Sequence, residues 1–166
     1  MKIYLISPPK LTKSFNSKIF DTITDIIPIE YFQFRPKFKL LKDRLNFVEM
    51  HYESFSRVCK KKKIKLIIND DFEIAEEFTF DGIHLGQNDK SCKAAKEKFG
   101  KEFIVGVSCS SSENLYKKAK SDGADYVAFG PAFNSKTKKG LSIDLGNLKK
   151  FLKKIELPFV LIGGVN

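Results

Sequence analysis

The sequence predicts an α/β protein, a (β/α)8 TIM barrel, of which the 166 residues supply about seven strands. Short apolar strands alternate with amphipathic helices along the chain, and this alternation is typical of a parallel sheet. The first predicted strand is Ile3–Ile6, and the last, Phe159–Ile162, runs into a Gly-Gly pair. No linker or low-complexity segment interrupts the pattern. We therefore expect one domain over residues 1–166, with a doubly wound open sheet as the alternative.

The remaining elements follow one another in regular order. Helices are expected near Ser17–Ile26 and over Leu41–Lys61, Ser91–Phe99, Ser112–Ser121 and Leu145–Lys154. The strands between them are Tyr31–Arg35, Leu66–Asn69, Gly82–Leu85, Phe103–Ser108 and Tyr126–Phe129. The pattern stops just past the seventh strand, whereas a complete barrel has eight strands. We therefore expect the chain to be truncated at its C-terminus, without the eighth strand.

Composition places the chain among ordinary proteins with one hydrophobic core, at 42% hydrophobic and 30% charged residues. No apolar run approaches the length of a membrane helix, so no membrane partner is expected. The opening segment is broken too early by Pro8 and Pro9 to be a signal peptide. The three cysteines, Cys59, Cys92 and Cys109, show no metal or disulfide spacing, which favours a cytoplasmic location.

The formal net charge is +10, which suits anionic partners such as nucleic acid or small phosphates. The excess is mostly lysine, and the lysines are spread along predicted helices. The run Lys60–Lys63 falls at a helix C-terminus, where cations are favoured by the helix dipole. We therefore expect a solvated surface and no nucleic-acid partner.

The second predicted strand carries a polar set next to an apolar one. Alternation places Gln33, Arg35 and Lys37 on one face, at the C-terminal mouth of a barrel, with the phenylalanines between them packed against helices. A buried arginine needs an anion, and phosphate suits its two-pronged guanidinium. The alternative is an internal salt bridge from Arg35 to Asp70 or Asp71.

The next two strands each end in carboxylates. Asp70 and Asp89 would meet at one edge of a parallel sheet, where two carboxylates repel unless a cation lies between them. Mg²⁺ prefers such oxygen ligands, and Asn69 adds a neutral polar group. The alternative role for such aspartates is helix capping. Of the neighbours Asp70 and Asp71, we assign the cap of the following helix to Asp71, and Asp89 could likewise cap the helix that begins near Ser91.

Later segments give weaker signals. His84, within a strand, is expected to be a hydrogen-bonded interior residue. Ser108 could donate to an anion, and because it has no evident base partner a hydrolase is not favoured. The basic loop Gly130–Gly140 is either a lid over a phosphate or a solvated loop. After the seventh strand, Gly163-Gly164 would let backbone amides approach a phosphate.

Assembled in order, these motifs resemble the thiamine phosphate synthase family. The resemblance covers the chain from Gln33 to Val165. It rests on Gln33-Phe34-Arg35-x-Lys37, Asn69-Asp70-Asp71, Asp81-Gly82-Ile83-His84-Leu85-Gly86-Gln87-x-Asp89, Gly106-Val107-Ser108, Gly123-Ala124-Asp125-Tyr126-Val127, Gly130-Pro131 with Thr137-Lys138-Lys139-Gly140, and Ile162-Gly163-Gly164-Val165.

The resemblance implies a Mg²⁺-dependent transferase of thiamine biosynthesis that acts on small phosphorylated molecules. Hydroxymethylpyrimidine diphosphate would lose its diphosphate and be captured by a thiazole phosphate. By resemblance, Asp70 and Asp89 hold Mg²⁺ and Gln33 contacts the pyrimidine. The implied diphosphate contacts are Arg35, Lys37, Asn69, Ser108 and Lys138, and the implied thiazole-phosphate contacts are Ser135, Thr137 and Gly164.

Two expectations qualify this interpretation. In the family the eighth strand completes the thiazole-phosphate site, so these 166 residues should bind diphosphate and metal better than they catalyse. A thiazole tautomerase has the same fold and needs no diphosphate chemistry. Because Arg35, Lys37, Asp70, Asp89 and Lys138 are all present, the synthase is favoured over the tautomerase.

Overall fold

Strands and helices alternate in the structure, a computed structural model that describes residues 2–131 and 151–163. The chain divides into two units, residues 1–83 and residues 84–166. Each unit is built from parallel strands joined by helices, as the sequence predicts. None of the helices among the described residues is long and apolar enough to cross a membrane.

The first unit contains three strands that pair in chain order. β2 lies between β1 and β3, parallel to both, with Gln33 of β2 opposite Ile6 and Ile67. The elements are β1 (Ile3–Ile6), α1 (Ser17–Ile26), β2 (Ile29–Phe34), α2 (Leu41–Lys62), β3 (Lys65–Asn69) and α3 (Phe72–Glu77).

A cluster of aromatic rings holds β2 against the helices of this unit. Phe32 and Phe34 are fully buried, and the Phe32 ring lies 4.3 Å from that of Phe20 in α1 and 5.2 Å from that of Phe55 in α2. Burying such a side chain stabilises a fold by roughly 1.5–3 kcal/mol. The predicted packing of the β2 phenylalanines against helices is confirmed. Because side chains alternate along a strand, Gln33 is directed to the opposite face.

Local signals in the sequence define where the two long helices begin and end. The Asn16 side chain accepts hydrogen bonds from the amides of Lys18 and Ile19 at 3.0 and 3.2 Å, which caps α1. α2 ends at Lys62, and the next residue, Lys63, adopts a left-handed conformation with φ 56° that terminates the helix. Three lysines occupy the last turn of α2, where they complement the helix dipole as expected.

The second unit repeats the same plan. β4 (Gly82–Leu85) spans the division and is followed by α4 (Cys92–Phe99), β5 (Ile104–Ser110), α5 (Glu113–Ser121), β6 (Tyr126–Phe129) and β7 (Phe159–Leu161). β6 lies between β5 and β7, parallel to both. The predicted helix Leu145–Lys154 falls mostly outside the described residues.

Three strands end at residues other than the predicted ones, and β7 does so by one residue, at Leu161 instead of Ile162. β2 ends at Phe34, so Arg35 lies beyond the strand; it precedes Pro36, which has no amide hydrogen to continue the ladder. β5 continues to Ser110 instead of ending at Ser108, with a register shift between these two residues and φ 51° at Ser110. Such a bulge redirects side chains at the end of a strand.

Candidate functional site

In the first unit, polar side chains gather where β2 and β3 end. Gln33 is 2% exposed, and its Nε2 donates to the Tyr4 hydroxyl at 3.0 Å. Just beyond the strand, the Arg35 amide donates to Oγ of the buried Ser7 at 2.9 Å. Ser7 therefore anchors the backbone at the point where the chain leaves the sheet.

The guanidinium of Arg35 is half-buried and forms no hydrogen bond or ion pair with the residues that the structure describes. The alternative, a salt bridge from Arg35 to Asp70 or Asp71, is not found among the described residues. Asp70 pairs with Lys37 instead, and Asp71 pairs with Arg44. A half-buried guanidinium that has no acceptor among the described residues suits an anionic ligand.

Lys37 and Asp70, two of the predicted site residues, lie in direct contact. Nζ of Lys37 is 2.6 Å from Oδ2 of Asp70. Asp70 has φ 64°, a left-handed conformation that non-glycine residues adopt infrequently and that often occurs at functional sites. The turn after β3 therefore holds this carboxylate beside a cation.

Asn69, the last residue of β3, contributes a buried donor. It is 6% exposed, and its Nδ2 has no hydrogen-bond partner among the described residues. An unsatisfied buried polar group costs about 1–3 kcal/mol. An acceptor on a ligand, such as a phosphate oxygen, would remove that cost.

Asp71 has a different role from the one that the sequence predicts. It occupies the residue before α3, but its side chain makes no capping hydrogen bond. Nε of Arg44 donates to both carboxylate oxygens at 2.9 Å, and Nη1 of Arg44 donates to the carbonyls of Phe38 and Lys39. Burial raises the pKa of Asp71, and the hydrogen bonds from Arg44 oppose that rise. The predicted side-chain cap is wrong because a guanidinium competes for the carboxylate.

In the second unit, the chain after β4 folds back on itself. The Gly86 amide donates to Oδ2 of the exposed Asp89 at 2.6 Å. A β-carbon at position 86 would lie 2.9 Å from that oxygen, so a larger residue there would require the Asp89 carboxylate to shift. Asp89 does not cap α4; Ser91 does, by accepting from the Ala94 amide at 3.1 Å.

A buried histidine joins two other side chains in the second unit. Nδ1 of His84 is 3.0 Å from the Tyr126 hydroxyl, and Nε2 is 2.9 Å from Oγ of Ser108. Gln87 holds the backbone at the same place, since its Nε2 donates to the Ser108 carbonyl. The expected hydrogen-bonded role of His84 is confirmed. The expectation that Ser108 has no base partner is wrong.

Several predictions are left untested. Asp70 belongs to the first unit and Asp89 to the second, and their joint ligation of Mg²⁺ stays a prediction. Among the described residues, no three His, Cys, Asp or Glu side chains form a metal-binding group. Magnesium needs only one or two protein carboxylates when substrate phosphates complete its shell. Four further predicted site residues lie outside the described ranges: Ser135, Thr137, Lys138 and Gly164.

The cysteines supply no nucleophile. Burial raises the pKa of Cys59 to about 12 and those of Cys92 and Cys109 to about 11. A thiol must ionise to attack, so these groups are inert at neutral pH.

The sequence interpretation missed four residues of these clusters: Ser7, Arg44, Gln87 and Tyr126. Tyr126 had a usable signal, because it is the one polar side chain in the apolar strand Tyr126-Val127-Ala128-Phe129. Its partner in the register of β5 is Gly106, which leaves room for the ring. Ser7 and Arg44 had no such signal, since their contacts depend on where loops and a helix lie in space.

Comparison with known proteins gives consistent matches. The family model described as thiamine monophosphate synthase matches residues 3–166. A thiamine-phosphate synthase of Pelagibacter ubique is 38% identical over 168 residues, covering 98% of this chain and 77% of that protein. One of Lactococcus lactis subsp. lactis is 35% identical over 170 residues, covering 99% and 78%.

A solved structure shows the same fold. Thiamine phosphate pyrophosphorylase from Pyrococcus furiosus superposes with a TM-score of 0.79 at 23% identity, covering 99% of this chain and 76% of that one. The predicted α/β barrel fold is confirmed by this match.

Proposed function

The chain belongs to the thiamine monophosphate synthase family, and from this premise we propose that it joins hydroxymethylpyrimidine diphosphate to a thiazole phosphate, releasing pyrophosphate. The relatives are thiamine-phosphate synthases, which are transferases, so this activity is favoured over the tautomerase alternative. We place the reaction in the cytoplasm, where the three free, buried cysteines would stay reduced.

The observation that carries the proposal is the cluster at the ends of β2 and β3. It combines the Lys37–Asp70 ion pair, the guanidinium of Arg35 and the unpaired Nδ2 of Asn69. Loss of a diphosphate concentrates negative charge on the departing oxygens. Cations and donors fixed in advance near those oxygens lower the barrier because they need not reorganise as the bond breaks. Arg35, Lys37 and Asn69 are suited to that role.

Asp70 and Asp89 are the proposed ligands of Mg²⁺. Carboxylate oxygens are what this ion prefers, and the Asp70 carboxylate already attracts a cation in the structure, the ammonium of Lys37 at 2.6 Å. Bound magnesium would neutralise charge on the leaving diphosphate. Within the protein, Lys37 keeps the Asp70 carboxylate oriented until the ligand arrives.

The remaining proposed contacts come from the family resemblance. Gln33 would orient the pyrimidine from the face opposite the phenylalanine cluster. Ser108 and Lys138 would donate to the diphosphate. Ser135, Thr137 and Gly164 would hold the thiazole phosphate. No protein nucleophile is required, since the thiazole nitrogen captures the pyrimidine after the diphosphate leaves.

Two measurements on the purified protein test this function. Isothermal titration with pyrophosphate should show binding that strengthens with Mg²⁺. Incubation with both substrates and Mg²⁺ should give thiamine phosphate and pyrophosphate, and a chelator should stop the reaction. Isomerisation of a thiazole phosphate with neither pyrophosphate binding nor coupling would instead support the tautomerase. Thiamine phosphate made at the same rate after metal removal would overturn the magnesium requirement.

A further inference from the structure

Three side chains of the second unit form a hydrogen-bonded series from the interior to Ser108. The Tyr126 hydroxyl contacts Nδ1 of His84 at 3.0 Å, and Nε2 of His84 contacts Oγ of Ser108 at 2.9 Å. Tyr126 is 3% exposed and His84 6% exposed, whereas Ser108 is half-buried. The series therefore ends at a hydroxyl that a ligand can reach.

A neutral imidazole carries one proton, so the series has two polarities. With the proton on Nδ1, His84 donates to the tyrosine oxygen, and Nε2 accepts the Ser108 proton. With the proton on Nε2, the tyrosine hydroxyl donates to Nδ1, and Nε2 donates to Oγ of Ser108. Only the second arrangement leaves the Ser108 proton available to another acceptor.

An anion distinguishes between these two polarities. Phosphate oxygens accept hydrogen bonds and do not donate them, so a phosphate beside Ser108 interacts favourably only when the serine proton points outward. In the first polarity the serine would present lone pairs to the anion. The cost of that mismatch is removed when the histidine proton moves to Nε2.

We propose that His84 and Tyr126 are positioning residues, which hold Ser108 as a hydrogen-bond donor to the diphosphate by keeping the His84 proton on Nε2. This inference rests on the proposed function, because it assumes that Ser108 faces the diphosphate. It assigns to a buried histidine and tyrosine a role in ligand recognition without direct ligand contact.

Two features keep the series in place. Gly106 lies opposite Tyr126 in the β5–β6 register, and a β-carbon there would lie 1.9 Å from Cζ and 2.3 Å from the hydroxyl oxygen of the tyrosine. The tyrosine therefore reaches His84 only because residue 106 is glycine. At the other end, Gln87 donates to the Ser108 carbonyl, which fixes the backbone of the residue whose hydroxyl is being oriented.

Nitrogen-15 NMR of the imidazole rings tests the proposal directly. The chain has only two histidines, so a His51→Gln variant leaves the His84 signals alone in the spectrum. With inorganic pyrophosphate and Mg²⁺ bound, we expect the shifts of an imidazole protonated at Nε2. Bound pyrophosphate together with an Nδ1-protonated or doubly protonated ring would overturn this inference only. Failure of pyrophosphate to bind at all would overturn both it and the proposed function.

Variants separate positioning from simple support of the fold. His84→Met removes both hydrogen bonds and should weaken pyrophosphate binding roughly three- to tenfold, the scale of one hydrogen bond. His84→Gln keeps a donor toward Ser108 and should stay within about twofold of wild type, as should His51→Gln. In a Ser108→Ala background, His84→Met should cost nothing further, because its effect passes through that hydroxyl. An equal loss in both backgrounds would contradict the proposal.

Discussion

At the scale of single residues, the candidate site depends on side chains whose charged or polar groups stay accessible to a ligand in the folded protein. Lys37 and Asp70 neutralise each other across a loop and the end of β3, yet their side chains stay 42% and 28% exposed. An exposed pair of this kind contributes little to stability, with a median of about 0–1 kcal/mol. Its position beside Arg35 and Asn69 suggests that binding, rather than folding, is its purpose.

Replacing Lys37 tests that distinction. We expect Lys37→Met to lower the coupling rate on the order of 10²-fold, the scale for loss of one charge stabiliser, with little change in the melting temperature. Lys65→Met is the matched control, because Lys65 pairs with Asp81 at 3.0 Å in the same unit with similar exposure. Equal rates for the two variants would contradict a role for Lys37 in the site.

At the scale of elements, the strands were predictable and their polar ends were less so. Alternation and helical spacing located β1, β4 and β6 at their observed bounds, because local apolar pattern determines them. The end of β2 before Arg35 and the shift after Ser108 depend on pairing with neighbouring strands, which one sequence does not reveal. The role of Asp71 appeared only with the structure, because it depends on where Arg44 of α2 lies in space.

The ion pair between Arg44 of α2 and Asp71, the residue before α3, gives a pH-dependent prediction. In Arg44→Met, Asp71 would lose its partner, and we expect a loss of about 1–3 kcal/mol in the free energy of unfolding at neutral pH. The pKa of Asp71 is already raised by burial, and removal of Arg44 would raise it further. A carboxyl whose pKa is raised in the folded state destabilises the fold increasingly as the pH rises above the pKa of that carboxyl in the unfolded chain.

The deficit of Arg44→Met should therefore be largest at neutral pH, shrink as the pH falls through the raised pKa of Asp71, and be lost below about 4, where Asp71 is protonated in both states. Chemical denaturation of wild type and variant from pH 3.5 to 7 measures this. Asp71→Asn is the control, since that background removes the titrating group. A deficit that stays constant across the range would show that lost packing, and not the unpaired carboxylate, is responsible.

The contact between β5 and β6 gives a second prediction at this scale. Gly106→Ala would force a methyl group into the Tyr126 ring, and such overpacking costs typically about 1–3 kcal/mol. The cost should fall in a Tyr126→Leu background, where the obstructing ring is gone. Denaturation of the two single variants and the double variant measures the coupling. Strictly additive losses in the free energy of unfolding would mean that Gly106 stabilises the fold in some way other than by making room for the Tyr126 ring.

At the scale of the whole molecule, the net charge of +10 is dispersed. Many lysines of the described residues pair with carboxylates, as in Lys61–Asp21, Lys62–Asp25 and Lys96–Asp125. Among the described residues, the aromatic side chains other than Phe159 are buried or half-buried. We therefore keep the expectation of small anionic ligands and of no nucleic-acid partner.

A salt titration of duplex DNA binding tests this view. We expect only the weak affinity of a generic basic protein, with a dissociation constant of about 10⁻⁴–10⁻⁶ M at physiological salt. Fluorescence anisotropy at several salt concentrations would measure it. Tight binding with a steep salt dependence would instead indicate a dedicated nucleic-acid surface.

The central claim is that Asp70 helps to hold magnesium on a departing diphosphate, and the rate of pyrophosphate release tests it most directly. We predict that Asp70→Ala lowers this rate by a factor on the order of 10²–10³ at saturating Mg²⁺. Asp25→Ala should leave the rate unchanged, because Asp25 also pairs with a lysine but lies on α1. Near-normal turnover by Asp70→Ala, with magnesium still required, would contradict the account.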